Sequence, residues 1–302
     1  MNALQKAYEE SLAKLNDEQR AAVTASEGPV LVLAGPGTGK TQTLGMRIAY
    51  RLRETQLDPG EVLCMTFTNT GAAEMRRRLQ RFVGAAAQQT HIHTYHSFCS
   101  WLIQQEPERY GQHEELKVAN ELDRRLIIKR LMDGMDKSNP FYKPPGHTYS
   151  EASRLERFLK KMKQEGVTAE EVERAVTQRL EEAPYDPEFQ FMQNCRNGNA
   201  GEVNPRLIKK LEEQMKKLLA AGQLLPLYEA ELRKQGLYDY DDMINWVVRE
   251  MECDPDYRMD LQERFQHILA DEYQDTNGSQ SRLLFNLLDT DLPDPPDVFV
   301  VG

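Results

Sequence analysis

The sequence predicts an α/β fold: a parallel sheet flanked by helices and interrupted by an all-helical insert. Three observations carry that expectation. Short apolar runs alternate with helical text at both ends of the chain. A glycine-rich run joins the first apolar run to the first long helical stretch. The middle of the chain, from about 109 to 244, shows helical periodicity and no convincing strand. Strands separated by helices imply parallel pairing, and the return of that alternation after the insert implies one sheet built from two stretches of chain. The boundaries expected are residues 1–108 and 245–302 for the α/β domain and 109–244 for the insert.

The elements follow in order. Pro29 to Ala34 is a short buried strand, ended by Gly35-Pro36-Gly37, with a helix from Lys40 to Arg53. Glu61 to Phe67 reads as a second strand, Ala72 to Phe82 as a helix and Gln89 to Thr94 as a third, weaker strand. In the insert, helices are expected at 121–133, 150–164, 168–182, 205–221, 223–235 and 240–251. Ser138-Asn-Pro140, Pro144-Pro-Gly146, Ala183-Pro184, Asn197-Gly-Asn199 and Gly222 break them. Gln266 to Ala270 is a strand that ends in acids, Ser279 to Leu288 a helix and Val298 to Val301 the last strand, reached through the stiff connector Pro293 to Asp297.

Composition narrows the function. With 302 residues, 40% apolar and 28% charged, the chain can bury a sizeable core. No apolar run approaches a membrane span, and Met1 to Gln19 holds no hydrophobic signal region, so a cytoplasmic protein with no membrane partner is expected. Cys64, Cys99, Cys195 and Cys253 lie far apart and read as reduced thiols. The net charge of −10 argues against a nucleic-acid partner until its distribution is examined. Residues 239–297 hold sixteen acids against four Lys or Arg, so the remainder is slightly basic. Residues 121–165 hold eleven Lys or Arg against seven acids, and Arg76, Arg77, Arg78 and Arg81 form a second basic knot. A phosphate-tracking surface needs a local positive field, not a basic average, although any single run is more often a solvated helix face.

Two local patterns carry chemistry. Ala34-Gly35-Pro36-Gly37-Thr38-Gly39-Lys40-Thr41 follows a predicted strand and opens a predicted helix, the context a P-loop needs. Its glycines let backbone N–H groups turn toward phosphate oxygens, and the helix N-terminus adds positive potential. Lys40 reaches the β- and γ-phosphates there and Thr41 sets its hydroxyl on Mg²⁺. Downstream, the strand ending in Asp271-Glu272 offers the second half of a nucleoside triphosphate–Mg²⁺ site: Asp271 for the metal, Glu272 to take a proton from the attacking water, with Asp275 close by. Other features read more plainly. His91, His93 and His96 are expected as core histidines, or as path histidines should the chain bind nucleic acid, rather than metal ligands, Tyr238 to Asp242 as an acid-rich helix start rather than a cation site, and Trp101 and Trp246 as core.

The run Asp271-Glu-Tyr-Gln-Asp-Thr276 goes beyond a generic acidic pair and resembles motif II of superfamily 1 DNA helicases of the UvrD/Rep type. Further blocks line up in the family's order. Leu15-Asn-Asp-Glu-Gln19 looks like the Q motif, Thr66-Phe-Thr-Asn69 with Ala72-Ala-Glu-Met75 is similar to motif Ia, and Thr94-Tyr-His-Ser-Phe98 looks like motif Ib. Tyr238 to Met243 resembles the block before motif II, and Val298 to Gly302 the strand leading into motif III. The resemblance implies a RecA-like domain (1A) with the insert as subdomain 1B. It gives Gln19 the reading of adenine, Gln274 the coupling of γ-phosphate to DNA, and Phe67, Asn69, Tyr95 and His96 contacts with single-stranded DNA. Aromatics beside a single strand also stack on bases. Lys160, Lys161 and Lys163 would suit the family's use of 1B on duplex ahead of a fork. Thr70-Gly71 departs from the family's Lys after the motif Ia Asn, and Gln42 from its usual Arg.

The function implied is the N-terminal ATP- and DNA-binding part of a UvrD-like ATP-dependent 3′–5′ helicase in repair or replication, using ATP and Mg²⁺ on single strands and single-strand/duplex junctions. Because Gly302 falls where motif III begins, a C-terminal helicase domain is expected as the missing partner, and negligible turnover without it. The rivals are a non-hydrolysing DNA- or partner-binding module and part of a helicase–nuclease subunit.

Overall fold

The computed structural model describes residues 3–25, 28–35, 37–55, 57–111, 116–142, 144, 151–194, 198–290 and 295–302. Pro36 of the glycine-rich run, Cys195, the turn residues Pro145, Gly146 and Asn197, and the connector start at Pro293 lie outside them. The chain divides into two compact units, residues 1–112 with 243–302, and residues 113–242.

The first unit opens with helices α1 (Ala3–Ala13) and α2 (Asp17–Thr24), then β1 (Val30–Val32), α3 (Lys40–Glu54), β2 (Val62–Thr66), α4 (Asn69–Val83), α5 (Ala86–Gln89), β3 (His91–Thr94) and α6 (Tyr95–Gln105). The helical unit holds β4 (Lys117–Val118), α7 (Glu121–Asp133), α8 (Ala152–Glu165), α9 (Ala169–Glu182), α10 (Pro205–Gly222), α11 (Leu224–Lys234) and β5 (Leu237–Tyr238). The chain then completes the first unit with α12 (Asp242–Cys253), α13 (Pro255–Arg264), β6 (His267–Ala270), α14 (Gly278–Leu288) and β7 (Asp297–Val301).

Five strands form one parallel sheet in the order β1-β7-β6-β2-β3. The late strands β6 and β7 thus insert between β1 and β2, which brings the end of β6 beside the loop that follows β1. β2 is buried along its whole length, as a central parallel strand covered on both faces should be. One face of the sheet packs on the first four helices: Leu44, Met46 and Ile48 of α3 and Met75 and Leu79 of α4 share a core with Cys64, Ile92, Leu269 and Phe299. On β3, Ile92 belongs to that core while His91 and His93 alternate away from it into an aromatic cluster with Phe98, Trp101 and Phe265. Those histidines are packing residues; no group of three His, Cys, Asp or Glu able to hold a metal occurs among the described residues. Burial pushes the His93 imidazole down to about 4, so it stays neutral near pH 7. Beside α14, the sheet face of β1 and β7 is open, with an apolar hollow of about 240 Å³ bordered by Leu31, Val298, Leu284 and Phe285.

The helical unit has its own core, in which Ile127 and Ile128 of α7, Leu155 and Leu159 of α8, and Leu224 and Tyr228 of α11 meet. The expectation of no strand there is corrected by one short parallel pair, Lys117 with Leu237 and Val118 with Tyr238. Two residues are too few to show a period of two in sequence.

Lys163 is a second correction. It is 2% exposed, with its ammonium 2.8 Å from both Asp239 and Asp242 and over the Tyr228 ring. Tyr228 in turn donates its hydroxyl to Asp239 at 3.3 Å. Lys163 therefore serves no duplex-facing surface, while Lys160 and Lys161 on the same helix are exposed. Asp239 and Asp242 of the 238–242 block are the buried partners of a lysine, not only the start of a helix. Burial alone would discharge that lysine, but Asp242 and Asp239 reverse the effect and hold its ammonium charged.

Candidate nucleotide site and DNA-facing edge

The glycine-rich loop leaves β1 and turns into α3 without a side-chain cap. Gly37 and Gly39 both take left-handed backbone (φ +77° and +87°), which lets the chain reverse within a few residues and leaves the first N–H groups of α3 unclaimed by a cap. The Thr38 hydroxyl donates to the Gly35 carbonyl at 2.7 Å, closing the loop on itself. Ala34 continues the β1–β7 ladder by donating its N–H to the Gly302 carbonyl at 2.9 Å. A small residue at 34 suits that close backbone approach.

Lys40 and Thr41 open α3 and face the acids that follow β6. Asp271 extends the sheet by one step, its N–H donating to the Met65 carbonyl at 2.9 Å, so its carboxylate is fixed at the C-terminal edge of the sheet. The Thr41 hydroxyl lies 3.5 Å from an Asp271 oxygen. The Lys40 ammonium pairs with Glu272 at 2.7 Å, and Gln274 donates its amide to the same Glu272 oxygen at 2.5 Å. Glu272 is the only described non-glycine residue with positive φ (+50°). Such backbone is sparsely populated and persists where the surroundings over-determine it. The two acids are driven apart electrically. Burial, with the neighbouring Glu272 charge, raises the Asp271 carboxyl, whereas the hydrogen bonds from Lys40 and Gln274 hold Glu272 below the usual carboxylate range. A hydroxyl and a buried carboxylate are oxygen donors of the kind Mg²⁺ takes, so Thr41 and Asp271 fit that ion.

Gln19 sits at the third position of α2 in a capping box: Asn16 accepts from its N–H at 2.7 Å, and its own side-chain oxygen accepts from the Asn16 N–H at 3.1 Å. Its amide nitrogen donates to the Thr38 carbonyl at 2.9 Å, which ties α2 to the phosphate loop. Asn16 was not singled out from sequence, although Asn-x-x-Gln is the capping-box spacing. Gln274 lies beside Gly302, the residue after β7, where a Cβ would meet its side-chain oxygen at 3.1 Å.

The residues expected on DNA lie at the same sheet edge, where Thr66 of β2 pairs with Thr94 of β3. Phe67 is 50% exposed, Asn69 is exposed at the start of α4 and His96 is half-buried. Tyr95 is the exception. It is 1% exposed at the head of α6 and offers no ring face to a base, so its expected DNA contact is corrected. The first turn of α6 is set by a capping box between Thr94 and Ser97, and that geometry points the next side chain inward.

A parallel sheet whose first strand feeds a glycine-rich loop and a helix, with acids at the end of the next strand but one, defines a RecA-like helicase domain, here of five parallel strands flanked by helices. Residues 15–302 match the family described as UvrD/REP helicase N-terminal domain, and the chain belongs to that family. Among curated proteins it is similar to the ATP-dependent DNA helicase PcrA of Staphylococcus aureus (strain Mu50 / ATCC 700699), with 28% identity over 284 residues, covering 94% of this chain and 32% of the relative. PcrA of Staphylococcus epidermidis (strain ATCC 12228 / FDA PCI 1200) is 29% identical over the same length and shares. The chain thus spans about a third of the length of these relatives. No described helix is long and apolar enough to cross a membrane.

Proposed function

We propose that this chain is the N-terminal ATP- and DNA-binding part of a UvrD-like, ATP-dependent 3′–5′ DNA helicase of repair or replication, with residues 1–112 and 243–302 as subdomain 1A and the helical unit as 1B. The observation that carries the reading is the convergence of Lys40 and Thr41 on Asp271 and Glu272 across 230 residues of sequence, within 2.7 and 3.5 Å. In this reading Gly35, Gly37, Thr38 and Gly39 cradle phosphate with Ala34 as the small residue at the strand end. Lys40 exchanges Glu272 for phosphate oxygens, and Thr41 and Asp271 hold Mg²⁺, which neutralises phosphate charge when bound. Glu272, ionised while Lys40 holds it low, loses that cation to phosphate, becomes more basic, and is then free to take a proton from the attacking water. Gln19, already bonded to the loop, reads adenine, and Gln274, bonded to Glu272, reports on the γ-phosphate. Phe67, Asn69 and His96 line the single-strand side.

Because the relatives are about three times as long, we assign strand movement and full turnover to a longer protein carrying a second domain. ATP binding with Mg²⁺ should be measurable on the chain itself by fluorescence titration, and Lys40→Ala should weaken it at least tenfold, since a charge-assisted contact of about 1.5–3 kcal/mol is lost. Binding indifferent to Lys40→Ala would refute the reading. Rapid DNA-stimulated hydrolysis by the chain alone, abolished by Lys40→Ala, would instead refute the assignment of turnover to a second domain.

A further inference from the structure

Gln19 holds two backbone groups of opposite character. Its side-chain oxygen accepts from the Asn16 N–H at 3.1 Å, and its amide nitrogen donates to the Thr38 carbonyl at 2.9 Å. The two ends of a glutamine amide are alike in shape, so its partners decide which end is oxygen. Here both partners are backbone, one always a donor and the other always an acceptor. Turning the amide over would set its NH₂ against the Asn16 N–H and its oxygen against the Thr38 carbonyl. The amide therefore has one orientation. The Gly39 backbone closes it from a third side, where a Cβ would lie 3.2 Å from the amide nitrogen.

Asn16 maintains the turn that makes this lock. Its side-chain oxygen accepts from the Gln19 N–H at 2.7 Å, which fixes the first turn of α2 and the place from which the Asn16 N–H reaches the amide. The far end of α2 is held by α3: the buried Arg47 guanidinium donates to the carbonyls of Val23, at 3.2 Å, and of Ala25. The short helix is thus tied at both ends to the loop and helix that carry Lys40.

An amide oxygen can accept two hydrogen bonds and an amide nitrogen can donate two. With one of each given to the backbone, the half-buried Gln19 can accept one more and donate one more, in a set order. A 6-amino purine matches that order, with its amino donor beside the N7 or N1 acceptor. A 6-oxo purine puts the acceptor O6 opposite the glutamine oxygen. An amide free to turn over would accommodate O6; a locked one does not.

We infer that Asn16 is a specificity-determining positioning residue: its capping box, together with the Thr38 carbonyl, holds the Gln19 amide in the one orientation that admits 6-amino purine nucleotides and turns away 6-oxo ones. This rests on the reading of Gln19 as the residue that meets the base.

The test is binding of ATP and of inosine triphosphate, each with Mg²⁺, to the full chain by competition with a ribose-labelled fluorescent ATP. The proteins compared are the unaltered chain, Asn16→Ala, Asn16→Ser and Lys40→Ala, each checked for its melting temperature. The unaltered chain should prefer ATP by about tenfold or more, the worth of a bidentate pair to the right base. Asn16→Ala, which loses the cap, should give up about threefold or more of that preference, and Asn16→Ser, which keeps a capping oxygen, should restore it. A merely structural cap would lower the melting temperature or weaken both nucleotides alike, and an unchanged preference in Asn16→Ala would overturn the inference. Equal binding of the two nucleotides by the unaltered chain, lost in Lys40→Ala, would also overturn it while leaving the phosphate site standing. Binding of neither nucleotide would bring down the nucleotide-site reading, and the inference with it.

Discussion

Glu272 holds two positions at once in this molecule, as partner of Lys40 and as the proposed proton acceptor. The ion pair is short but its carboxylate side chain is 36% exposed, so solvent screens it and its strength is that of a modest surface contact. Removing the charge in Glu272→Gln should free Lys40 and tighten nucleotide binding by roughly two- to tenfold. In a turnover-competent longer protein the same change should slow hydrolysis by about 10²–10⁴-fold, the usual worth of a positioned general base. Titration of a fluorescent nucleotide against the variant checks the first part; weaker binding would show that Glu272 does not compete with phosphate for Lys40. The residue scale is also where sequence was most legible. Gly-x-Gly-Lys-Thr and Asp-Glu are local patterns whose chemistry depends on neighbours a few positions away. What they could not show was the pairing itself, because Lys40 and Glu272 are 232 residues apart. Tyr95 was misread for a related reason. An aromatic in a DNA-facing block faces either solvent or core according to the phase of one helical turn, and the Thr94–Ser97 cap sets that phase.

Among the elements, α8 shows how a charge run misleads. Arg154, Arg157, Lys160, Lys161 and Lys163 read alike in sequence, yet four are exposed and Lys163 is sealed against Asp239 and Asp242. Helical phase distinguishes them: Lys163 follows Leu155, Leu159 and Met162 round to the buried face. Taking one partner from a buried ion network leaves an uncompensated charge and costs about 3–5 kcal/mol, whereas replacing the whole network is often neutral. Lys163→Met should therefore lower the stability of the helical unit by about that amount, and Lys163→Met with Asp239→Asn and Asp242→Asn should recover most of it. Urea unfolding followed by circular dichroism measures both; equal losses in the single and triple variants would show that packing of the lysine stem, not charge pairing, is what matters. Helix positions in this unit were legible almost to the residue because caps and periodicity agree, as at Asn120 before α7 and Thr168 before α9. The β4–β5 pair was illegible because its strands owe their existence to each other and not to any local pattern.

At the scale of the whole molecule, the two units have separate cores, and the helical one is continuous in sequence. Its two ends are held together by backbone bonds from Lys117 to Gly236 and from Ala119 to Tyr238, both 2.8–2.9 Å. A segment with its own core and paired ends meets the usual conditions for independent folding. A polypeptide of residues 116–242 should therefore be helical and unfold cooperatively; a broad, non-cooperative melt would show that it borrows stability from the α/β unit. The α/β unit is built the other way, with β6 and β7 threaded between strands laid down more than a hundred residues earlier, so pieces of it have no complete sheet. Sequence conveyed the alternation of strand and helix but not this order, since the order is fixed by which faces are left to bury. One such face is still open. Leu31, 63% exposed, and Phe285, 58% exposed, border the hollow on the β1–β7 side. That corner is where detergents, hydrophobic dyes and greasy surfaces should settle first, on a chain that a net charge of −10 otherwise keeps apart from its copies.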